Sequence, residues 1–72
     1  MFKLYDNKVM FLLKQGAKIR MLEWHYEDIA YVTLEEFYGS FYFYINREFP
    51  LPKKEIFVIS YSALISDWVF YE

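Results

Sequence analysis

The sequence predicts a small α+β protein in which one short amino-terminal helix packs on an antiparallel sheet of about five strands. Apolar residues recur at helical spacing near the amino terminus, and apolar and polar residues alternate further along the chain. The two glycines and two prolines fall between these segments, where elements should end. One helix followed by consecutive strands indicates α+β rather than βαβ. We expect residues 1–72 to form a single domain.

The predicted helix begins near Asp6 or Asn7, because a side-chain oxygen there can accept a hydrogen bond from an amide of the first turn. Gly16 suits the left-handed position just beyond the end of the helix. The apolar residues at helical spacing are Val9, Met10, Leu12 and Leu13. A helix of about nine residues is not stable alone, so it must lie on the sheet.

The predicted strands are 18–24, 29–34, 40–46, 56–61 and 67–71. Alternation is clearest in the third, whose apolar face is formed by Phe41, Phe43 and Ile45. The polar HYED turn joins the first two strands, and the prolines of FPLPKK interrupt the pattern before the fourth. The segment YSALIS predicts a single turn of helix before the last strand.

The composition is strongly aromatic for so short a chain. It has eight Phe, eight Tyr and two Trp, one histidine and no cysteine. A domain of this size buries only about 60% of the surface of its unfolded chain, and without cysteine it has no disulfides. Tyr and Trp favour interfaces because one end of each ring tolerates water. We therefore expect a homo-oligomer that carries no cofactor.

The charge and hydropathy exclude several classes of function. A net charge of −2 argues against nucleic-acid binding, which draws most of its affinity from cationic contacts to phosphate. The run YGSFYFYI faintly resembles the base-stacking strand of RNA-recognition domains, but Tyr38 stands where that motif has a basic residue.

The longest apolar run, VMFLL, is far shorter than the roughly 20 residues of a membrane span. The start, MFKLYDNKV, lacks the features of a signal peptide. We expect a soluble intracellular protein.

No catalytic arrangement emerges from the sequence. His25 lies in a polar turn, where a solvated histidine is the simplest interpretation. Glu35 and Glu36 are adjacent, so on a strand they point to opposite faces and cannot act as a paired acid and base. There is no glycine-rich phosphate loop and no metal-ligand spacing. We expect a protein that is not an enzyme.

Arg20 and Trp24 lie four residues apart on the first predicted strand, so both side chains should emerge on the same face. A guanidinium can hold a phosphate and an indole can stack on a base, so the pair can form a nucleotide clamp. The same spacing also fits a Trp24 in the core and a solvated Arg20. Asp67 and Trp68 leave a similar choice open. They can form a functional pair, or Trp68 can lie in the core while Asp67 caps or braces a turn.

LLKQGAKIRMLEW (residues 12–24), followed by IAYVTL, resembles the start of the second family of Thoeris anti-defence proteins. ALISDWVFYE resembles the leucine-rich turn and acidic-Trp strand at the end of that family. The resemblance covers roughly residues 8–34 and 63–71. The family consists of phage homo-oligomers that sequester glycocyclic ADP-ribose signals, and in some members cyclic dinucleotides, without cleaving them. It also includes at least one reported type II anti-CRISPR.

The resemblance implies an immune-evasion protein that acts in the cytoplasm of an infected bacterial host. Arg20 would hold a phosphate and Trp24 would stack on a base or ribose, with His25 or Tyr26 at the rim and Asp67 as a further ligand-binding residue. Two alternatives remain. One is an anti-CRISPR-type inhibitor that contacts a host protein directly through the aromatic middle segment. The other is a structural protein whose only function is self-association.

Overall fold

The computed structural model describes residues 1–24, 30–48 and 51–71. Within these ranges the chain forms a five-stranded antiparallel sheet and two short helices, which confirms the predicted α+β class. The helices are α1 (Asn7–Lys14) and α2 (Tyr61–Ile65), and the strands are β1 (Ile19–Met21), β2 (Ala30–Phe37), β3 (Ser40–Arg47), β4 (Lys53–Ile56) and β5 (Trp68–Phe70). Neither helix is long enough to cross a bilayer.

The strands lie in the order β4-β3-β2-β1-β5. Strands β1 to β4 form a meander, and β5 returns to pair with the free edge of β1, with Met21 opposite Trp68. The long β2–β3 hairpin pairs every residue from Ala30 to Phe37, so β2 extends beyond its predicted end at residue 34. The predicted HYED turn, Ile29 and the first proline of FPLPKK lie outside the described residues.

The first and fourth strands also differ from their predicted bounds. The first ends at Met21 instead of Trp24, because the Trp24 amide turns back to donate to the Met21 carbonyl oxygen at 3.1 Å. The fourth was predicted at residues 56–61 but covers Lys53–Ile56. After β4 the Phe57 amide donates to the Phe43 carbonyl at 2.8 Å, and Phe57 then packs against the core.

Helix α1 begins and ends as its sequence predicts. The Asp6 carboxylate accepts a hydrogen bond from the Lys8 amide at 2.8 Å, which caps the first turn. Gly16 adopts a φ of +100°, a conformation that residues with a Cβ rarely adopt, and lets the chain turn toward β1. Val9 and Leu13 are buried against the sheet, which supplies the stability that so short a helix lacks alone.

Trp68 lies at the centre of the core and is fully buried. Its indole N–H donates to the Ala63 carbonyl oxygen of α2 at 2.9 Å. The ring meets Trp24 and Phe57 edge-on, with centroid distances of 5.5 and 6.1 Å. The buried core residues are Leu4, Val9, Leu13, Ile19, Met21, Ala30, Val32, Leu34, Ile45, Ala63 and Trp68. One side chain therefore connects α2, β5 and the aromatic residues beside them.

The outer face of the sheet, opposite the helices, carries tyrosines that are covered by charged side chains. The Lys18 ammonium lies 4.7 Å from the centre of the Tyr31 ring, and the Lys54 ammonium lies 5.4 Å from that of Tyr44. Lys54 also forms an ion pair with Glu35 at 2.8 Å. These rings therefore gain cation–π partners within their own chain.

We expect Trp68→Phe to lower the free energy of unfolding by about 2–3 kcal/mol, because it shrinks a packed ring and leaves the Ala63 carbonyl without its donor. Trp24→Phe is the matched control, since Trp24 is only half-buried and its indole makes no hydrogen bond among the described residues. Urea denaturation at one fixed protein concentration measures both. Equal losses in the two variants would contradict the central role of Trp68.

We expect the stability contributed by Glu35 to depend on pH. Hydrogen bonds from Lys54 and then Thr33 hold the pKa of Glu35 below its ordinary value of 4.5. Because the folded-state pKa is the lower one, the stabilisation is complete above pH 4.5 and is lost as the pH falls through the folded pKa. Glu35→Gln should cost about 0.5 kcal/mol at neutral pH, the usual size for an exposed pair, and almost nothing in acid.

Urea midpoints of the wild type and Glu35→Gln, compared at neutral and acidic pH, measure this difference. Glu23→Gln is the control, because Glu23 is exposed and makes no ion pair within the described part of the chain. A Glu35 effect that stays constant as the pH falls would refute the linkage.

Candidate ligand-binding cleft

Trp24 lies in the turn that follows β1, on the side of the sheet that carries the core. Its indole is half-buried and packs edge-on against Trp68 and Phe57, with ring centroids 5.5 and 6.3 Å away. The part of the ring that these neighbours leave uncovered faces a cleft. Trp24 thus belongs to the core and to the wall of a cavity at once.

Arg20 occupies the opposite face of β1. Its strand neighbours Ile19 and Met21 are both buried in the core, so alternation directs Arg20 away from it. The guanidinium donates to the backbone carbonyls of Met21 at 3.2 Å and Trp24 at 3.5 Å, which braces the turn. The expectation that the Arg20 and Trp24 side chains share a face is therefore wrong. Strand alternation no longer applies at Trp24, because β1 ends at Met21.

The Asp67 side chain contacts neither Arg20 nor Trp24 among the described interactions. Its carboxylate pairs with the Lys3 ammonium at 2.9 Å, and its carbonyl accepts a hydrogen bond from the Leu22 amide at 2.9 Å. With Leu22 it lines a shallow depression that does not include Trp24. His25 and Tyr26, the other two residues expected to bind ligand, lie outside the described residues. The structure therefore links Arg20 to Trp24 only through the backbone, and it does not bring Asp67 to them.

A cleft of ≈ 380 Å³ opens between the sheet and the segment that leads from β4 into α2. Its lining residues are Met21, Trp24, Ala30, Ile45, Arg47, Phe57, Val58, Ser60 and Ala63. The buried side chains of Met21, Ala30 and Ile45 form an apolar floor. Trp24 and Phe57 are the aromatic walls. We call this cavity the Trp24 cleft; its size falls within the range of small-molecule sites, roughly 300–1,000 Å³.

Arg47 supplies the positive charge of the Trp24 cleft. It is the last residue of β3, opposite Ala30 on β2, and its side chain is exposed. Among the described residues it forms no ion pair or hydrogen bond. Its charge acts on Glu55: the pKa of that carboxyl is lowered first by the hydrogen bond and charge of Lys53, and to a smaller extent by Arg47. The guanidinium is therefore available to an anionic group in the cleft.

Ser60 places a hydroxyl in the same cleft. Its oxygen accepts a hydrogen bond from the Ala63 amide at 3.1 Å and so caps α2, which fixes the side chain while leaving its O–H able to donate. Within the described ranges no three acidic or histidine side chains cluster as a metal site would require. Aromatic walls, one guanidinium and one hydroxyl can bind a planar, anionic ligand.

Arg47 and Phe57 were missed as site residues when the sequence alone was considered. The apolar face of β3 is Phe41, Phe43 and Ile45, and Arg47 is the next residue in that period of two. The same alternation thus places an arginine on the core side of the sheet, just beyond the apolar part. Phe57 carried no such signal, because it lies outside any strand.

No protein-family model, curated protein or solved structure matches this chain. The fold assignment therefore rests on the strand pairing of the chain itself.

Proposed function

We propose that this protein binds a cyclic nucleotide defence signal in the Trp24 cleft and sequesters it without cleaving it. The observation that carries the proposal is the combination of an indole, a phenyl ring and an exposed arginine around one apolar cavity. A nucleotide presents the matching parts, a planar base and an anionic phosphate. The phosphate-holding role first expected of Arg20 passes to Arg47 in this proposal.

The energetics suit a binder rather than a catalyst. Stacking of a base on an aromatic side chain contributes about 1–3 kcal/mol, and a hydrogen bond to a charged group about 1.5–3 kcal/mol. Trp24 and Phe57 are already held in place by the core, so little side-chain entropy is lost on binding. Because each ~1.4 kcal/mol is a tenfold change in dissociation constant, these few contacts are enough for tight sequestration.

The resemblance to the second family of Thoeris anti-defence proteins supplies the biological setting of the proposal. The ligand is then glycocyclic ADP-ribose or a cyclic dinucleotide, and the protein is phage-encoded and self-associating. It acts in the cytoplasm of the infected bacterial host, where removal of the signal leaves the defence effector inactive.

We expect a cyclic ADP-ribose isomer or a cyclic dinucleotide to raise the melting temperature. At 100 times its dissociation constant a ligand adds about 2.7 kcal/mol, which corresponds to roughly 10–20 °C for a domain of this size. Mass spectrometry of the ligand after denaturation of the complex should return it unchanged. Failure of every tested nucleotide to stabilise the protein would refute the proposal, and recovery of a cleaved product would refute sequestration.

We expect Arg47→Gln to weaken this binding about ten- to hundredfold, because it removes a charged hydrogen-bond donor from the cleft while leaving the core intact. Lys8→Gln is the matched control, since Lys8 is exposed on α1 and lines none of the described cavities. Isothermal titration calorimetry measures both. Arg20→Gln should cost less affinity than Arg47→Gln, because Arg20 lies on the opposite face of β1 and acts on the cleft through its hydrogen bonds to the turn that holds Trp24. A larger loss in Arg20→Gln than in Arg47→Gln would return the phosphate-holding role to Arg20.

The alternative of an inhibitor acting by protein contact is favoured by the outer face, where Tyr42 is exposed and Tyr44 is half-buried. Activity assays in infected cells separate the two functions. Loss of activity in Trp24→Ala with Tyr44→Ala unchanged supports sequestration, and the reverse supports direct contact. The fold of Trp24→Ala must be verified by circular dichroism, because Trp24 also packs on the core.

A further inference from the structure

The polar side chains that line the Trp24 cleft share one property, because each of them carries a hydrogen-bond donor. Trp24 has an indole N–H, Arg47 a guanidinium and Ser60 a hydroxyl. The Trp24 N–H and the Arg47 guanidinium make no hydrogen bond among the described residues. The described lining includes no carboxylate and no side-chain amide. These side chains therefore favour a ligand that presents acceptors.

Ser60 differs from the other two because a hydroxyl can also accept. Its oxygen already accepts a hydrogen bond from the Ala63 amide at 3.1 Å, so one of its two lone pairs is occupied. This bond caps α2 and fixes the side chain. A ligand atom beside the hydroxyl meets either its hydrogen or its remaining lone pair. An accepting atom can thus be bound by all three polar side chains, whereas a donating atom has a single lone pair to use.

Backbone carbonyls of the lining do little to supply the missing acceptors. Four of them accept a hydrogen bond from the chain itself, at distances of 2.9 to 3.5 Å. They belong to Met21, Trp24, Ser60 and Ala63. An amino group on a ligand therefore meets few free acceptors in the cleft, and a donor that stays unpaired beside apolar side chains weakens binding.

We propose that the Trp24 cleft selects guanine-type bases over adenine and that Ser60 determines this preference. The inference rests on the proposed function and specifies the base of its ligand. On its Hoogsteen edge guanine presents two adjacent acceptors, a ring nitrogen and a carbonyl oxygen, whereas adenine presents the ring nitrogen beside an amino group. The Ser60 hydroxyl donates to the guanine carbonyl oxygen while Arg47 holds the phosphate. Adenine instead turns an amino donor toward the Ser60 hydroxyl.

The preference divides the two ligand classes of the proposed function. Glycocyclic ADP-ribose carries adenine, so the favoured ligand is a cyclic dinucleotide that contains guanine. The aromatic walls do not make this distinction, because every base has a face that can stack on Trp24 and Phe57. Discrimination between the bases therefore falls to the polar groups at the edge of the base, and Ser60 is the lining residue whose hydrogen-bonding character can be reversed by substitution.

Isothermal titration calorimetry of the wild type with three cyclic dinucleotides tests the preference. Their bases are guanine, hypoxanthine and adenine, and hypoxanthine has the carbonyl group of guanine without its amino group. All three ligands carry the same riboses and phosphates, so contacts to Arg47 cancel in the comparison. We expect the guanine and hypoxanthine ligands to bind about five- to tenfold more tightly than the adenine ligand, as for one hydrogen bond gained and one donor left unpaired.

Ser60→Asp and Ser60→Asn form a matched pair of variants that assigns the preference to this residue. Both side chains can accept the Ala63 amide and so preserve the cap of α2. The remaining oxygen of Asp can only accept, whereas the amide nitrogen of Asn can donate. Ser60→Asp should therefore abolish or reverse the preference for guanine, and Ser60→Asn should keep it. A purely structural role of Ser60 would change the affinity for all three ligands by the same factor.

The outcomes separate this inference from the proposed function. Equal affinity of the wild type for the three ligands, or tighter binding of adenine, would overturn the preference and leave sequestration in place. Binding of a cyclic ADP-ribose isomer without binding of the guanine ligand would do the same. A preference that persists in Ser60→Asp would overturn the role of Ser60. If no nucleotide binds, the proposed function fails and this inference fails with it.

Discussion

The packing of Trp68 is the interaction on which the rest of the structure depends. Its main chain pairs with β1 on one side and exchanges two backbone hydrogen bonds with Phe2 on the other, at 2.9 and 2.8 Å. Its indole fixes α2 through the Ala63 carbonyl. Burial of one such ring contributes about 4–6 kcal/mol by area, which is comparable to the entire stability of a small domain. The two ends of the chain and the second helix are therefore stabilised together.

This arrangement also explains why the Trp24 cleft is formed by the chain on its own. The indole of Trp24 is braced edge-on by Trp68 and Phe57, and Phe57 is anchored by a backbone bond to Phe43. A wall built on the core cannot move far, so the proposed binding would lose little conformational entropy. Trp24 therefore contributes both to the stability of the core and to the proposed ligand site. Arg47 at the rim is exposed and can be changed without disturbing the packing, which makes it an informative position.

The parts of the fold that were predictable from sequence are those governed by local rules. The cap at Asp6, the glycine stop at Gly16 and the strand that begins at Ser40 each depend on neighbours in the chain, and each is confirmed. The end of β1 and the position of β4 depend on which partner strand offers hydrogen bonds. The alternation of apolar and polar residues in the sequence carries no information about strand pairing.

The candidate site was predictable only in part, for the same reason. The tryptophan at position 24 stood out by its type, but its cationic neighbour comes from β3 rather than from β1. That juxtaposition is created by the pairing of Ala30 with Arg47 across the hairpin. A sequence motif favours Arg20 as the cationic partner of Trp24, because the two residues are only four positions apart in the chain. Arg47 becomes a neighbour of Trp24 only when the sheet forms.

The return of β5 to the edge of β1 has a consequence for synthesis on the ribosome. The meander of β1 to β4 can pair as it emerges, but the place of Trp68 stays empty until β5 has followed these strands out of the ribosome. Contacts so distant in sequence form late, because a long loop must close first. Of the five described strands, the one that carries the indole supporting Trp24 is therefore the last to arrive. A chain that lacks β5 therefore has an open sheet edge on β1 and no finished cleft, and the cavity proposed to bind a ligand is complete only when β5 has paired.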